Sequence, residues 1–146
     1  MKYGDKVKEY WYGSWATKDV ARLGVQAAKP KHQTFWETLT VLMSLMLWGD
    51  RSTVSPVLIV GDNTAALQNT LDLKGKDALL SIARDVAWRK ARYNWQYEVG
   101  HLPSEFNAAP DALSRQSGPE VKPWPTEALG VTVMMCPPSV GMLWKF

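Results

Sequence analysis

The most regular pattern of apolar positions lies in residues 33–48. Phe35, Leu39, Leu42, Met43 and Met46 recur at intervals of three and four, which is the spacing of one helix face. Because this segment is apolar almost all round, we expect a helix enclosed by other elements. A second helix is predicted over residues 76–93, where the same spacing leaves a basic exposed side formed by Lys76, Arg84, Arg89, Lys90 and Arg92.

Three further segments have strand patterns. Residues 56–61 are a continuous, largely β-branched run, typical of a central strand that is buried on both faces. Trp95, Tyr97 and Val99 alternate with less apolar residues and predict a strand that ends at His101. Short alternations of aromatic and polar residues over 6–25 predict a β-hairpin or two short strands.

Short helices and a tail complete the pattern. Helices are predicted over 64–71, directly after the turn Gly61-Asp62-Asn63, and over 111–115, with Pro110 in the first turn. Residues 116–146 contain five prolines and little periodicity, so we predict an extended tail behind a domain of residues 1–115. Four apolar residues of the tail are candidates for docking on that domain: Trp124, Met134, Met135 and Trp144.

Composition limits the class of protein. With 146 residues, 46% of them apolar and 21% charged, the chain suits one globular α/β domain and neither a disordered regulator nor a fibrous repeat. The single cysteine, Cys136, excludes an internal disulfide and fits a reducing intracellular compartment, cytoplasmic or nuclear. The longest apolar run, residues 39–48, is far shorter than the ~20 residues that cross a bilayer, so we expect no membrane partner.

Three acidic residues stand at positions where a carboxylate suggests a cation partner, a metal or a ligand site. Glu37 lies in the apolar helix, Asp62 follows the β-branched strand, and Asp111 begins the last helix. A carboxylate on an apolar helix requires a cation partner or a metal, and ligands bind at the carboxyl ends of strands in α/β sheets. If the three converge, their all-oxygen donor set selects Mg²⁺ or Mn²⁺.

Each acidic residue also has a structural interpretation. A turn in which Asp62 and Asn63 cap the following helix explains these two residues as well as a ligand site does. Glu37 is open to pairing with Lys31 or to projection into solvent, and Asp111 is well placed for the helix dipole.

Four segments in this order resemble the ribonuclease H domain that follows reverse transcriptase in retroelements. The most specific is the pattern GH-x-P-x-x-x-N-x-x-x-D-A-L-S-R, and the resemblance covers about residues 6–115. It implies a mixed five-stranded sheet flanked by helices, with acidic residues that bind two Mg²⁺ ions. The segments are HQTFWETLTVLMSLMLW, PVLIVGDNTAAL, SIARDVAWRKARY and YEVGHLPSEFNAAPDALSR.

The resemblance assigns roles to particular residues. It matches Glu37, Asp62 and Asp111 to the metal-binding carboxylates, and His101 and Asn107 to the loop histidine and the asparagine that follows it. His101 would then accept or relay a proton or assist product release; a plain hydrogen-bonding residue at the loop end is its structural alternative. Asn63 would contact a 2′-hydroxyl of the RNA strand.

The chain departs from the family at its first strand. That strand carries, in a segment like D-A-S or D-G-S, an aspartate that bridges both metals, and no such segment is present here. We therefore expect an N-terminally shortened ribonuclease H-like fold, with an RNA–DNA hybrid and an upstream reverse transcriptase domain as partners. It is either a metal-dependent endonuclease that hydrolyses the RNA strand or an impaired remnant that binds nucleic acid or a protein.

The basic helix is the candidate for holding the substrate. Arg84, Arg89 and Lys90 are positioned to neutralise phosphates and to make binding salt-dependent. A solvated helix face explains the same charges equally well, since Asp77 and Asp85 interrupt them.

Overall fold

The chain is a mixed α/β protein in a computed structural model that describes residues 1–3, 6–26, 29–130 and 132–143. In chain order, its strands and helices are β1 (Lys2–Tyr3), β2 (Lys6–Val7), β3 (Glu9–Tyr10), α1 (Thr17–Leu23), α2 (Gln33–Trp48), β4 (Val57–Gly61), α3 (Thr64–Asp72), α4 (Ala78–Tyr93), β5 (Tyr97–His101), α5 (Ala108–Ser114), α6 (Thr126–Leu129) and β6 (Val133–Met134).

These elements belong to two compact units. The larger unit contains residues 15–102 and the chain from Pro138 onward, and the smaller unit contains residues 1–14 and 103–137. The domain boundary at residue 115 stays a prediction.

Helix α2 forms the core of the larger unit and confirms the helix predicted over 33–48. Leu39 and Leu42 are completely buried, and Met43 is 2% exposed. The helix packs against α3 and α4, which explains why its sequence is apolar on nearly every side. The predicted helices after Asn63 and up to Tyr93 are confirmed as α3 and α4.

Strands β4 and β5 form a parallel pair in the larger unit. Val57 pairs with Tyr97 and the register continues to Gly61 opposite His101. The second strand begins at Tyr97 rather than at Trp95. Trp95 is instead buried beside Gly49, and its indole Nε1 donates a hydrogen bond to Asp50 Oδ1 (3.3 Å).

The prediction that residues 56–61 form a central strand buried on both faces is wrong. Leu58 is 62% exposed and Val60 is 50% exposed, whereas Val57 and Ile59 are half-buried. In the part of the chain that the structure describes, β5 is the one strand that pairs with β4. A β-branched run is buried on both faces only when the sheet is wide and covered on both sides, and this pair is neither.

Of the two alternatives predicted over 6–25, the hairpin is wrong and the two short strands are confirmed as β2 and β3. Strand β2 pairs antiparallel with β1, β3 pairs parallel with β6, and residues 17–23 form helix α1. The backbone N–H of Ala16 donates to Asp19 Oδ2 (3.2 Å) at the start of α1. Gly24, with φ at 66°, ends the helix in the left-handed conformation that glycine adopts readily.

The segment predicted as an extended tail contributes regular secondary structure to the smaller unit. It contains helix α6, so it is not extended throughout, and its strand β6 pairs with β3. Trp124 docks edge-on against Tyr10 and Tyr12, with ring centroids 5.8 and 5.6 Å apart, which confirms the predicted docking of this residue. Met134 is 59% exposed, and Trp144 lies outside the described residues.

The buried Tyr97 makes the larger unit sensitive to alkaline pH. Its hydroxyl donates to the carbonyl oxygen of Thr70 (2.8 Å), and burial raises the pKa of Tyr97 to about 12 from the ordinary 10.0. Because the folded pKa lies above the unfolded one, this stabilisation is complete below pH 10 and is lost as the pH rises toward 12. We expect a loss of about 2 kcal/mol in the unfolding free energy over this window.

Urea unfolding of wild type and Tyr97→Phe tests this, because the variant lacks the titrating hydroxyl. The difference in their unfolding free energies should shrink as the pH rises through the window. Tyr93→Phe is the control, since Tyr93 is 43% exposed. A difference between wild type and Tyr97→Phe that is independent of pH would contradict the prediction.

Candidate active site

The parallel pairing of β4 with β5 brings two of the predicted site residues to one edge of the sheet. Asp62 directly follows the last residue of β4, and His101 is the last residue of β5, opposite Gly61. The backbone N–H of Leu102 donates to the carbonyl oxygen of Gly61 (2.8 Å) and extends the pairing past the strand end. Ligands bind at such carboxyl edges in α/β proteins, and both side chains are exposed there.

Asn63 joins this edge to helix α3. Its side-chain oxygen accepts a hydrogen bond from the backbone N–H of Ala66 (3.0 Å), which is an N-cap. The capping interpretation of the Asp62-Asn63 turn is thus confirmed for Asn63. The cap uses the amide oxygen, so any contact of Asn63 with a ligand would come from its two N–H donors.

Glu37 is half-buried on α2, in the larger unit with Asp62 and His101. Its Oε1 accepts a hydrogen bond from Gln33 Nε2 (2.6 Å), one turn earlier in the same helix. A neutral amide therefore supplies one of the hydrogen bonds that this carboxylate needs. The sequence had suggested a cation or a metal as its partner.

Asp111 and Asn107 lie in the smaller unit, at the start of α5. The helix begins at Ala108, three residues earlier than predicted, with Asn107 as its N-cap residue. The carbonyl oxygen of Asn107 accepts the backbone N–H of Asp111 (3.0 Å). The side chain of Asn107 makes no capping hydrogen bond.

Two cations contact the carboxylate of Asp111. Lys122 Nζ contacts Oδ2, and Arg115 Nε lies 3.0 Å from Oδ1. Hydrogen bonds from Lys122 and Arg115 hold the pKa of Asp111 below its ordinary range, so the carboxylate is ionised at neutral pH. Neither partner was predicted from the sequence. Arg115 lies four residues after Asp111, however, which is a spacing at which opposite charges pair on a helix.

The carboxylates match Mg²⁺ in chemical kind but do not form a metal site as they stand. Oxygen donors are the ligands this ion prefers. Within residues 1–3, 6–26, 29–130 and 132–143, however, no three His, Cys, Asp or Glu side chains are grouped to hold a metal ion. The contacts of Asp111 with Lys122 and Arg115 already occupy both oxygens that a metal would use there.

The basic residues of α4 differ in what they contact. Arg89 is 12% exposed, its Nε lies 2.5 Å from Oδ1 of the buried Asp85, and its Nη2 donates to the carbonyl oxygen of Met142 (2.9 Å). Lys90 Nζ lies 4.9 Å from the ring centroid of Tyr97, in a cation–π contact. These geometries favour structural roles for Arg89 and Lys90 over the predicted phosphate contacts, whereas Arg84 and Arg92 are exposed.

Aromatic rings follow one another at the end of α4. Trp88 meets Tyr93 edge-on (6.1 Å between centroids), and Tyr93 stacks on Trp95 (6.0 Å). Trp95 is 3% exposed and belongs to the core, while Trp88 is 38% exposed. Trp88 is therefore the tryptophan of this row that presents a ring edge or face to solvent.

Comparisons of the chain with protein-family models, with curated proteins and with solved structures return no match. Among the described residues, no helix combines the length and the apolar character needed to span a membrane.

The buried ion pair between Asp85 and Arg89 leads to a stability prediction. Arg89→Ala would leave a carboxylate that is 1% exposed without this partner, and breaking a buried pair on one side costs about 3 kcal/mol. The control Arg84→Ala, on the exposed side of the same helix, should change stability by less than about 0.5 kcal/mol. Urea unfolding of the two variants measures both, and equal effects would contradict the structural role of Arg89.

Proposed function

We propose that the chain is a retroelement-type ribonuclease H, an endonuclease that uses Mg²⁺ or Mn²⁺ to hydrolyse the RNA strand of an RNA–DNA hybrid. The supporting observation is the shared carboxyl edge of β4 and β5, where Asp62 and His101 occupy adjacent strand ends. The G-H-x-P-x-x-x-N-x-x-x-D pattern that starts at this edge supports the same proposal. An upstream reverse transcriptase domain is the proposed partner.

Each candidate residue of the larger unit has a proposed task. Glu37 and Asp62 supply oxygen ligands of the kind that Mg²⁺ accepts. When bound, such an ion supplies an activated water and stabilises the leaving oxygen of the phosphodiester. His101 accepts or relays a proton at the neighbouring strand end. Asn63 donates from its amide nitrogen to a 2′-hydroxyl, which distinguishes RNA from DNA.

Two features limit the proposal to this edge. The family has a five-stranded sheet, whereas β4 and β5 form a two-stranded sheet in the described chain. Asp111 belongs to the other compact unit and carries two cations on its carboxylate. The proposal therefore rests on Asp62 and His101, whereas Asp111 as a metal ligand and Asn107 as a substrate contact stay predictions.

A second candidate function is binding of the hybrid without hydrolysis. The observation that favours it is the engagement of Asp111 by Lys122 and Arg115, which leaves fewer carboxylate oxygens for a metal. In this case the exposed cations of α4, Arg84 and Arg92, would hold the phosphates.

Replacing Asp62 by asparagine tests the nuclease proposal. Asp62→Asn keeps the shape of the side chain and removes a metal-binding charge, so we expect cleavage of a labelled RNA–DNA hybrid in Mg²⁺ or Mn²⁺ to fall on the order of a hundredfold or more. The matched control is Asp77→Asn, an exposed aspartate of the same unit, which should leave cleavage unchanged.

The outcomes separate the two candidate functions. Cleavage that survives in Asp62→Asn would contradict the proposed site. Hybrid binding by the wild type without cleavage in either ion would favour the second candidate.

The basic face of α4 has a separate test in the salt dependence of binding. Arg84→Ala combined with Arg92→Ala should weaken hybrid binding and reduce the slope of log K against log salt by about one to two. The reason is that each phosphate that these arginines no longer contact keeps its counterion. Arg89 and Lys90 are unsuitable for this test because they contact Asp85 and Tyr97.

The charge-matched control for this test is Lys18→Ala with Lys29→Ala, two exposed lysines outside α4. It removes the same number of positive charges and should leave the slope nearly unchanged. Equal slopes for the α4 variant and the wild type would show that Arg84 and Arg92 do not contact the phosphates of the hybrid.

A further inference from the structure

The outer edge of β4, which is the side of the strand that faces away from β5, has no strand paired to it among the described residues. The backbone N–H of Val57 donates toward β5, to the carbonyl oxygen of Gln96 (3.0 Å). Successive residues of a strand direct their backbone groups to opposite sides, so the N–H and C=O groups of Leu58 and Val60 point away from β5. Such a row of backbone donors and acceptors is a template for pairing with another strand.

The side chains of the same two residues form an apolar surface. Leu58 is 62% exposed and Val60 is 50% exposed, on the face of the strand opposite to the half-buried Val57 and Ile59. A Cβ atom on Gly100 would lie 3.5 Å from Val60 Cγ1 and 3.6 Å from Leu58 Cδ1, so the surface continues over β5. Strand β4 therefore presents backbone hydrogen-bonding groups and apolar side chains together.

We propose that the outer edge of β4 pairs antiparallel with the same edge of a second copy of the chain, centred on Ile59. The pairing joins the two-stranded sheets of the two copies into one four-stranded sheet in the order β5-β4-β4-β5. The inference goes beyond the proposed function and does not depend on it.

The strand is complementary to its own inverted copy. In this register Leu58 of one copy lies opposite Val60 of the other, and two opposite residues whose backbone groups face each other exchange both hydrogen bonds. The two-fold axis repeats the exchange, so every outward N–H and C=O of the two residues has a partner. Directly opposite side chains also touch on the same face of the sheet, which removes apolar surface of Leu58 and Val60 from water.

Charge favours a second copy of β4 as the occupant of this edge. Edge strands in natural proteins avoid pairing with one another by carrying charged side chains, and residues 57–61 carry none. Strand β5 differs, since it carries the exposed Glu98 beside Leu58. In the proposed sheet the two Glu98 side chains lie on the outermost strands, and Asp62 faces Pro56 of the other copy. Like charges therefore do not meet across the β4–β4 pair, where they would be destabilising.

The size of the interface sets the strength of the dimer. Pro56 has no N–H to donate, so the pairing cannot lengthen through the start of β4. Two strands of five residues bury less than the roughly 1,200 Å² at which stable complexes begin. We therefore expect a weak dimer that exchanges with the monomer.

Sedimentation equilibrium of the full chain over a wide range of concentrations tests the dimer. The weight-average mass should rise reversibly from the monomer mass of 16.4 kDa toward twice that value. Leu58→Lys should weaken the dimer about tenfold, because the two-fold axis removes two apolar cross-strand pairs at once. Leu80→Lys is the matched control, since Leu80 is a 37% exposed leucine on α4 of the same unit, and it should associate like the wild type.

Mixtures of variants test the register. Leu58→Lys and Val60→Glu should each associate poorly alone, whereas an equimolar mixture should form a heterodimer, because residue 58 of one copy faces residue 60 of the other. A mixture of Leu58→Lys with Leu58→Glu brings the same opposite charges but should recover much less, since the two residues 58 are not directly opposite. Recovery in the first mixture also shows that both of its variants are folded.

Three results would overturn the inference. The first is a wild type that stays at 16.4 kDa at every concentration; if that monomer binds an extended peptide of alternating apolar residues, the outer edge belongs to a strand of another polypeptide. The second is a dimer that Leu58→Lys leaves intact or that both mixtures restore equally. The third is growth into open-ended polymers, because two-fold pairing uses up the outer edge of β4 in a closed dimer.

Discussion

The in-register parallel pairing of β4 with β5 is the interaction on which the candidate site depends. Backbone hydrogen bonds place Gly61 opposite His101, and the bond from Leu102 N–H to the Gly61 carbonyl continues the pairing to the point where both chains leave the sheet. This register brings Asp62 and His101 to the same edge of the sheet. Helix α3 packs on both strands, and its N-cap by Asn63 sets the direction in which the chain leaves β4.

Two ion pairs show how burial decides the use of a charge. Asp85 and Arg89 are 1% and 12% exposed, so neither partner is easily released. Asp111 and Lys122 are 32% and 48% exposed, so their contact costs little to exchange for another cation. The first pair therefore belongs to the architecture of α4, while the second lies on a carboxylate that is a candidate metal ligand.

Long periodic segments were predictable from the sequence, and features that depend on distant contacts were not. The pattern over 33–48 gave the bounds of α2 because sixteen residues supply more than four turns of helical period. The seven residues of α1 follow an aromatic stretch whose alternation resembled strands. The exposure of Leu58 depends on how many strands pair with β4, which local spacing does not indicate. The contact of Lys122 with Asp111 depends on the turns that follow α5, which local spacing does not indicate either. At the site, the strand-end positions of Asp62 and His101 were predictable, but the cations on Asp111 were not.

The most direct measurement is a Mn²⁺ titration of the ¹⁵N-labelled protein, followed by the broadening of amide signals. The account predicts that substoichiometric Mn²⁺ broadens the amides of Asp62 and Asn63 together with those of His101 and Leu102, because these residues share one edge of the β4–β5 pair. Signals at this edge that stay sharp while amides around other carboxylates broaden, or no broadening anywhere, would contradict it.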